Sequence, residues 1–176
     1  MNTVRVTNKT KGMLSTFMTI TLSAMLIGVF SGTAYAQTIH VSLSSGPGAP
    51  DASGTAKVGF EGSVLVGKVQ VKNLPPQPFG SGQFYGVWFV RTDTGNKAFL
   101  GALINDKSII FPEGGEGRTD FSATQFTDGP DVGDPITLGP AGTNLIIVLI
   151  ENIINGLTPS PVGPVPGSGV AVAGTF

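Results

Sequence analysis

Apolar and polar residues alternate in short runs along much of this chain. Ile39, Val41 and Leu43 are interleaved with His40 and Ser42; Ala56, Val58 and Phe60 with Lys57, Gly59 and Glu61; Val69 and Val71 with Lys68, Gln70 and Lys72. A period of two sends successive side chains to opposite faces, so each run predicts a half-buried strand with one wet face. Leu74-Pro75-Pro76 stops the third run, because proline offers no N–H to a ladder and restricts the residue before it. The runs 84–90 (FYGVWFV) and 145–150 (LIIVLI) are apolar on both parities and predict central strands covered on both faces. β-Branched residues and Pro/Gly-rich flanks favour a strand over a buried helix for the second.

Residues 98–104 and 108–111 flank Asn105-Asp106-Lys107 and read as a hairpin. A loop-rich tract, 112–140, holds one strand near 118–123, and the proline-rich stretch 158–166 feeds a last strand over 169–176. No amphipathic helix and no internal repeat is evident. The expectation is an all-β fold, an immunoglobulin-like antiparallel β-sandwich of roughly seven to eight strands with Greek-key connections. Residues 1–36 read as a signal peptide, 37–54 as an N-terminal strand with a flexible linker, and 55–176 as the sandwich domain. The N-terminal strand has two available partners, the edge of its own sheet or that of another subunit; its own sheet is the expected one.

The signal-peptide reading rests on Arg5, Lys9 and Lys11 ahead of an apolar run, 13–30, and on small residues at Ala34 and Ala36. Cleavage between Ala36 and Gln37 is expected; a retained anchor is the alternative, since residues 13–35 approach the length of a membrane span. The chain is therefore expected to be secreted, periplasmic or at the cell surface, touching the membrane only through this segment. It has no cysteine, so it can be neither disulfide-stapled nor a conventional lipoprotein. The expected mature part keeps seven basic and eleven acidic residues, a formal charge of −4, which disfavours nucleic acid as a partner.

One set of spaced motifs resembles a known family. Gly67-Lys-Val-Gln-Val-Lys-Asn-Leu-Pro-Pro, then Tyr85-Gly-Val-Trp-Phe-Val, Gly95, Leu100-Gly101-Ala102, a late strand ending at Glu151 and the crossing Pro161-Val-Gly-Pro-Val resemble the extracytoplasmic C-terminal domain of anti-sigma-K-type factors. The resemblance covers roughly residues 56–172 and implies an immunoglobulin-like sandwich deployed outside the cytoplasmic membrane. Sigma-factor binding is not carried over, because that family grips its partner with a cytoplasmic helical domain and only Met1 to Gly12 precede the apolar run here.

Catalytic chemistry finds little support. His40 is the sole histidine, on a strand with no nucleophile-elbow motif nearby, so an ordinary strand position is expected. Asp128, Asp131 and Asp134 share one loop and are the calcium candidates; Glu113, Glu116 and Asp120 form a second acidic group, and a solvated loop is the expected alternative for both. A paired-carboxylate glycosidase would draw on Glu61, Glu113, Glu116 or Glu151, with no pair favoured. Trp88, with Phe84, Tyr85 and Phe89, suggests either a glycan-stacking platform or core, and core with a backbone acceptor for the indole is expected. Glu151 and Arg91 are expected to meet at strand ends. An outer-membrane barrel is disfavoured by only two tyrosines and one tryptophan. The function expected is a non-catalytic structural or protein-interaction module needing no cofactor, with a protein partner or self-association; the alternative is a calcium- or glycan-binding module.

Overall fold

The computed structural model describes residues 37–77, 82–106, 108–152 and 169–176. The chain divides into two units, Met1–Tyr35 and Ala36–Phe176, and every described residue belongs to the second. The expected signal peptide, including Ala36, and the proline-rich stretch 158–166 lie outside the described residues.

Eight strands form: β1 (Ile39–Ser45), β2 (Ser53–Glu61), β3 (Val64–Leu74), β4 (Gln83–Arg91), β5 (Lys97–Ala102), β6 (Gly115–Ala123), β7 (Asn144–Asn152) and β8 (Val170–Thr175). Among the described residues there is no helix, and none is long and apolar enough to cross a membrane. All pairings are antiparallel, in the order β5-β4-β7-β8-β1-β2-β3-β6. The two ends of this order also touch: Ile104, just beyond β5, exchanges N–H to C=O bonds of 2.8 and 3.0 Å with Arg118 of β6. The result is one nearly closed antiparallel sheet.

β1 holds the sheet together at its middle. Ile39 to Leu43 pair with β2, whereas Ser44 and Ser45 pair with β8. The N-terminal strand thus pairs within its own chain, and in the interior of the sheet rather than at an edge. The linker expected after it is instead a pair of tight turns. Ala49 N–H donates to Gly46 C=O at 3.1 Å and Ala52 N–H to Ala49 C=O at 3.0 Å, while Gly46 N–H and Gly48 N–H reach β8. Ala49 and Ala52 are buried, so small apolar side chains pin the glycine-rich stretch to the body.

The two-residue period holds as expected in β1, β2 and β3, and β6 shows it as well, burying one parity and exposing the other. β4 is buried along its whole middle. Tyr85, Val87 and Phe89 of β4, Ile146 and Val148 of β7, Val69 and Val71 of β3, and Val41 and Leu43 of β1 fill the inside of the sheet as one cluster. Full burial of side chains this size stabilises by about 1.5–3 kcal/mol each, which is how a cysteine-free chain holds its fold. The interior is apolar and the outer face of β2, β3 and β6 carries Lys57, Lys68, Arg118 and Asp120, all exposed, the reverse of an outer-membrane barrel's lipid-facing pattern.

The hairpin expected at 98–104 and 108–111 does not form. Asn105 and Ser108 close a tight turn with Asp106 at φ 43°, but Ile104 then pairs with β6 and residues 109–111 leave the sheet. Phe111 decides this: it is fully buried, edge-on to Tyr85 with ring centroids 5.3 Å apart, and its C=O accepts Gln77 N–H at 2.7 Å. Burying that ring outweighs extending a two-stranded ribbon.

Candidate functional site

Because alternate residues of a strand face opposite ways, Trp88 and Val90 lie on the face of β4 opposite Tyr85, Val87 and Phe89. There they join Ile147 and Leu149 of β7 in a second apolar cluster, with Phe99, Leu145, Val170 and Ala173 packed against it. Trp88 is 2% exposed and meets Phe99 edge-on at 5.1 Å. The expectation that it is core holds; its hydrogen-bond acceptor does not. The indole N–H donates to the carboxylate of Glu151 rather than to a backbone carbonyl.

The register explains that bond. Glu151 stands opposite Phe84 and Trp88 opposite Ile147, with Gly86 between them on β4. A Cβ on Gly86 would come within 2.9 Å of the Glu151 carboxyl carbon, so a side chain there would make the carboxylate shift from its place across the strand. Burial pushes the Glu151 carboxyl above its ordinary value, and the Trp88 bond pulls it part of the way back. The expected Glu151–Arg91 contact is absent. Arg91 pairs with Asn144 at the other end of the same antiparallel ladder, and its guanidinium binds Asp93 at 2.6 Å and Thr137 at 3.0 Å.

The calcium-candidate loop is tied to β5. Lys97 N–H donates to Asp128 C=O at 2.8 Å, Thr127 N–H to Lys97 C=O at 2.8 Å, and the Lys97 ammonium lies 2.7 Å from the Asp128 carboxylate. Asp131 exchanges two hydrogen bonds with the Asn96 side chain, accepting from Nδ2 at 2.5 Å and donating its N–H to Oδ1 at 2.9 Å. Asp134 contributes backbone bonds to Asp131 and Phe126. Two of the three carboxylates therefore have protein partners, and among the described residues no three His, Cys, Asp or Glu side chains gather as a metal-binding group. What the loop does visibly is cover the outer edge of β5, which would otherwise present unpaired backbone groups. In the second acidic group, Glu116 accepts from Gln70 and Asp120 lies 3.8 Å from Lys68.

His40 is exposed and stands opposite Lys57 in register, a cationic neighbour rather than the carboxylate that would orient a general base. Four structural side chains escaped the sequence reading. Asn96 and Lys97 anchor the acidic loop. Asn144 is 3% exposed and bonds Gly139, Pro140 and Phe176. Gln77 is 2% exposed, with neither amide atom hydrogen-bonded. Polar residues at loop and strand junctions carry no periodic signal that would have flagged them.

No protein-family model, curated protein or solved structure matches this chain.

Proposed function

We propose that this protein is an exported, non-catalytic β-sandwich module with a structural or protein-interaction role at or outside the cell surface. The observation that carries the reading is how its reactive side chains are used: Asp128 by Lys97, Asp131 by Asn96, Arg91 by Asp93 and Glu151 by Trp88. Each tethers one part of the fold to another, and the sheet interior is packed with apolar side chains. Such a molecule meets others with its surface. Export is supported by the charged, apolar and small-residue series ending at Ala36.

The sheet is read as two layers, β1-β2-β3-β6 and β8-β7-β4-β5, sharing β1. In constant-type immunoglobulin domains the second and third strands lie in different layers, whereas β2 and β3 here are paired neighbours. The likeness to that fold is one of layering, not of strand order. The residues on which the resemblance to anti-sigma-K-type C-terminal domains rests are joined to one another by two hydrogen bonds, Tyr85 hydroxyl to Pro75 C=O at 2.8 Å and Trp88 to Glu151.

The test is co-sedimentation of the purified protein with the envelope fraction of its own cells, before and after protease treatment of that fraction. Saturable binding abolished by proteolysis is the expected result. Absence of saturable binding, together with a monomeric mass at every concentration, would overturn the reading.

A further inference from the structure

The six described basic residues divide by location. Arg91 and Lys97 are held by Asp93 and Asp128 on the β4–β5 side. Lys57, Lys68, Lys72 and Arg118 are exposed on β2, β3 and β6. Across these strands the register sets His40, Lys57, Lys68 and Asp120 in one row. Ser42, Thr55, Gln70 and Arg118 form the next. Lys57 and Lys68 are directly opposite each other, and like charges so placed on paired strands cost stability. Asp120 offsets little of this, being 3.8 Å from Lys68 and well exposed. Folding alone therefore does not favour this row.

We propose that the outer face of β1, β2 and β3, centred on Lys57 and Lys68, binds an acidic polysaccharide. A polyanion laid across the strands meets Lys57 and Lys68 on neighbouring strands whose backbones lie about 4.8 Å apart, with Arg118 in the adjoining row, where Gln70 holds the Glu116 carboxylate. β2 and β3, which carry Lys57 and Lys68, are each paired on both sides, so a peptide cannot add there as a further strand. The two rows contain no aromatic side chain on which unpaired bases would stack. A face of paired strands that offers charge, with no ring for a base and no edge for an added strand, suits a linear acidic polymer. The choice of a polysaccharide rests on the exported reading; the binding itself does not.

The experiment is a titration of the purified protein with heparin as the probe polysaccharide, at low and at near-physiological salt. Neutral dextran, polyglutamate and a single-stranded oligonucleotide serve as comparisons. Heparin should bind, dextran should not, and the affinity should fall by about tenfold or more over that salt change. Lys57→Gln with Lys68→Gln should weaken heparin binding by about tenfold or more while leaving the melting temperature equal or higher, because a like-charge pair is removed. Lys57→Arg with Lys68→Arg should retain binding, which keeps the test intact if the glutamine pair folds poorly. Binding to heparin that survives the glutamine pair in a folded protein, or no binding at all, overturns the proposal. Tighter binding to polyglutamate or the oligonucleotide overturns the polysaccharide assignment. Failure of export alone would leave the heparin result unchanged.

Discussion

Glu151 accepts the indole N–H of Trp88 across the bare Cα of Gly86, joining the two central strands on their outer face. Gly86→Ala is therefore expected to displace the carboxylate and cost about 1–3 kcal/mol, the range for a methyl group forced into a packed site. Urea denaturation monitored by Trp88 fluorescence measures it, and a change near zero would mean that the carboxylate has room to move aside.

The same carboxylate sets a pH dependence. Its folded pKa lies above its ordinary 4.5 because burial penalises the charged form. Above the folded value the buried charge lowers stability; as pH falls through that value the group takes up its proton and the cost disappears. Glu151→Gln, which keeps an acceptor for the indole, should be more stable than the natural chain at neutral pH, with the gap closing on acidification. A gap that widens in acid would contradict the account. Asp93 acts in the opposite sense: its hydrogen bond to Arg91 holds its carboxyl below the ordinary value, so its contribution is present above 3.8 and lost as pH falls through the lower folded value.

Trp88→Ala should cost about 3–5 kcal/mol, since it removes a buried ring and leaves Glu151 without its donor. Chemical denaturation gives the value. A loss well under that range would mean that the ring contributes little to packing.

Gln77 offers a gain in stability. Its amide is buried with neither atom hydrogen-bonded, which costs about 1–3 kcal/mol. Gln77→Met keeps the length and discards the polar atoms, so the melting temperature should rise; a fall would show that the amide is satisfied in solution.

Because Lys97 and Asn96 already engage two carboxylates of the loop, millimolar calcium should leave the melting temperature unchanged. A calcium-dependent rise lost in Asp134→Asn would reinstate the metal site. Asp128→Asn should loosen the cover over the β5 edge, and concentration-dependent aggregation by light scattering is the expected sign.

The period-two runs made β1, β2 and β3 readable from sequence, and the runs apolar on both parities the two central strands, because each depends on a local pattern of burial. Near-closure of the sheet was not readable. It depends on Ile104 meeting Arg118 and on β1 changing partner between Leu43 and Ser44, contacts between residues far apart in the chain. The Phe111 excursion has the same origin: residues 108–111 carry a strand's composition, yet one ring is worth more inside. Residue types at the candidate site were visible, their partners were not. The aspartates suggested metal until Asn96 and Lys97, thirty or more positions earlier, were seen beside them.

Hydrogen–deuterium exchange of the purified protein, with and without its own envelope fraction, tests most directly whether the molecule works through an outer face. The account predicts new protection in β1, β2 and β3, with the core amides of β4 and β7 unchanged. Protection confined to the loops at the strand ends, or no change anywhere, would contradict it.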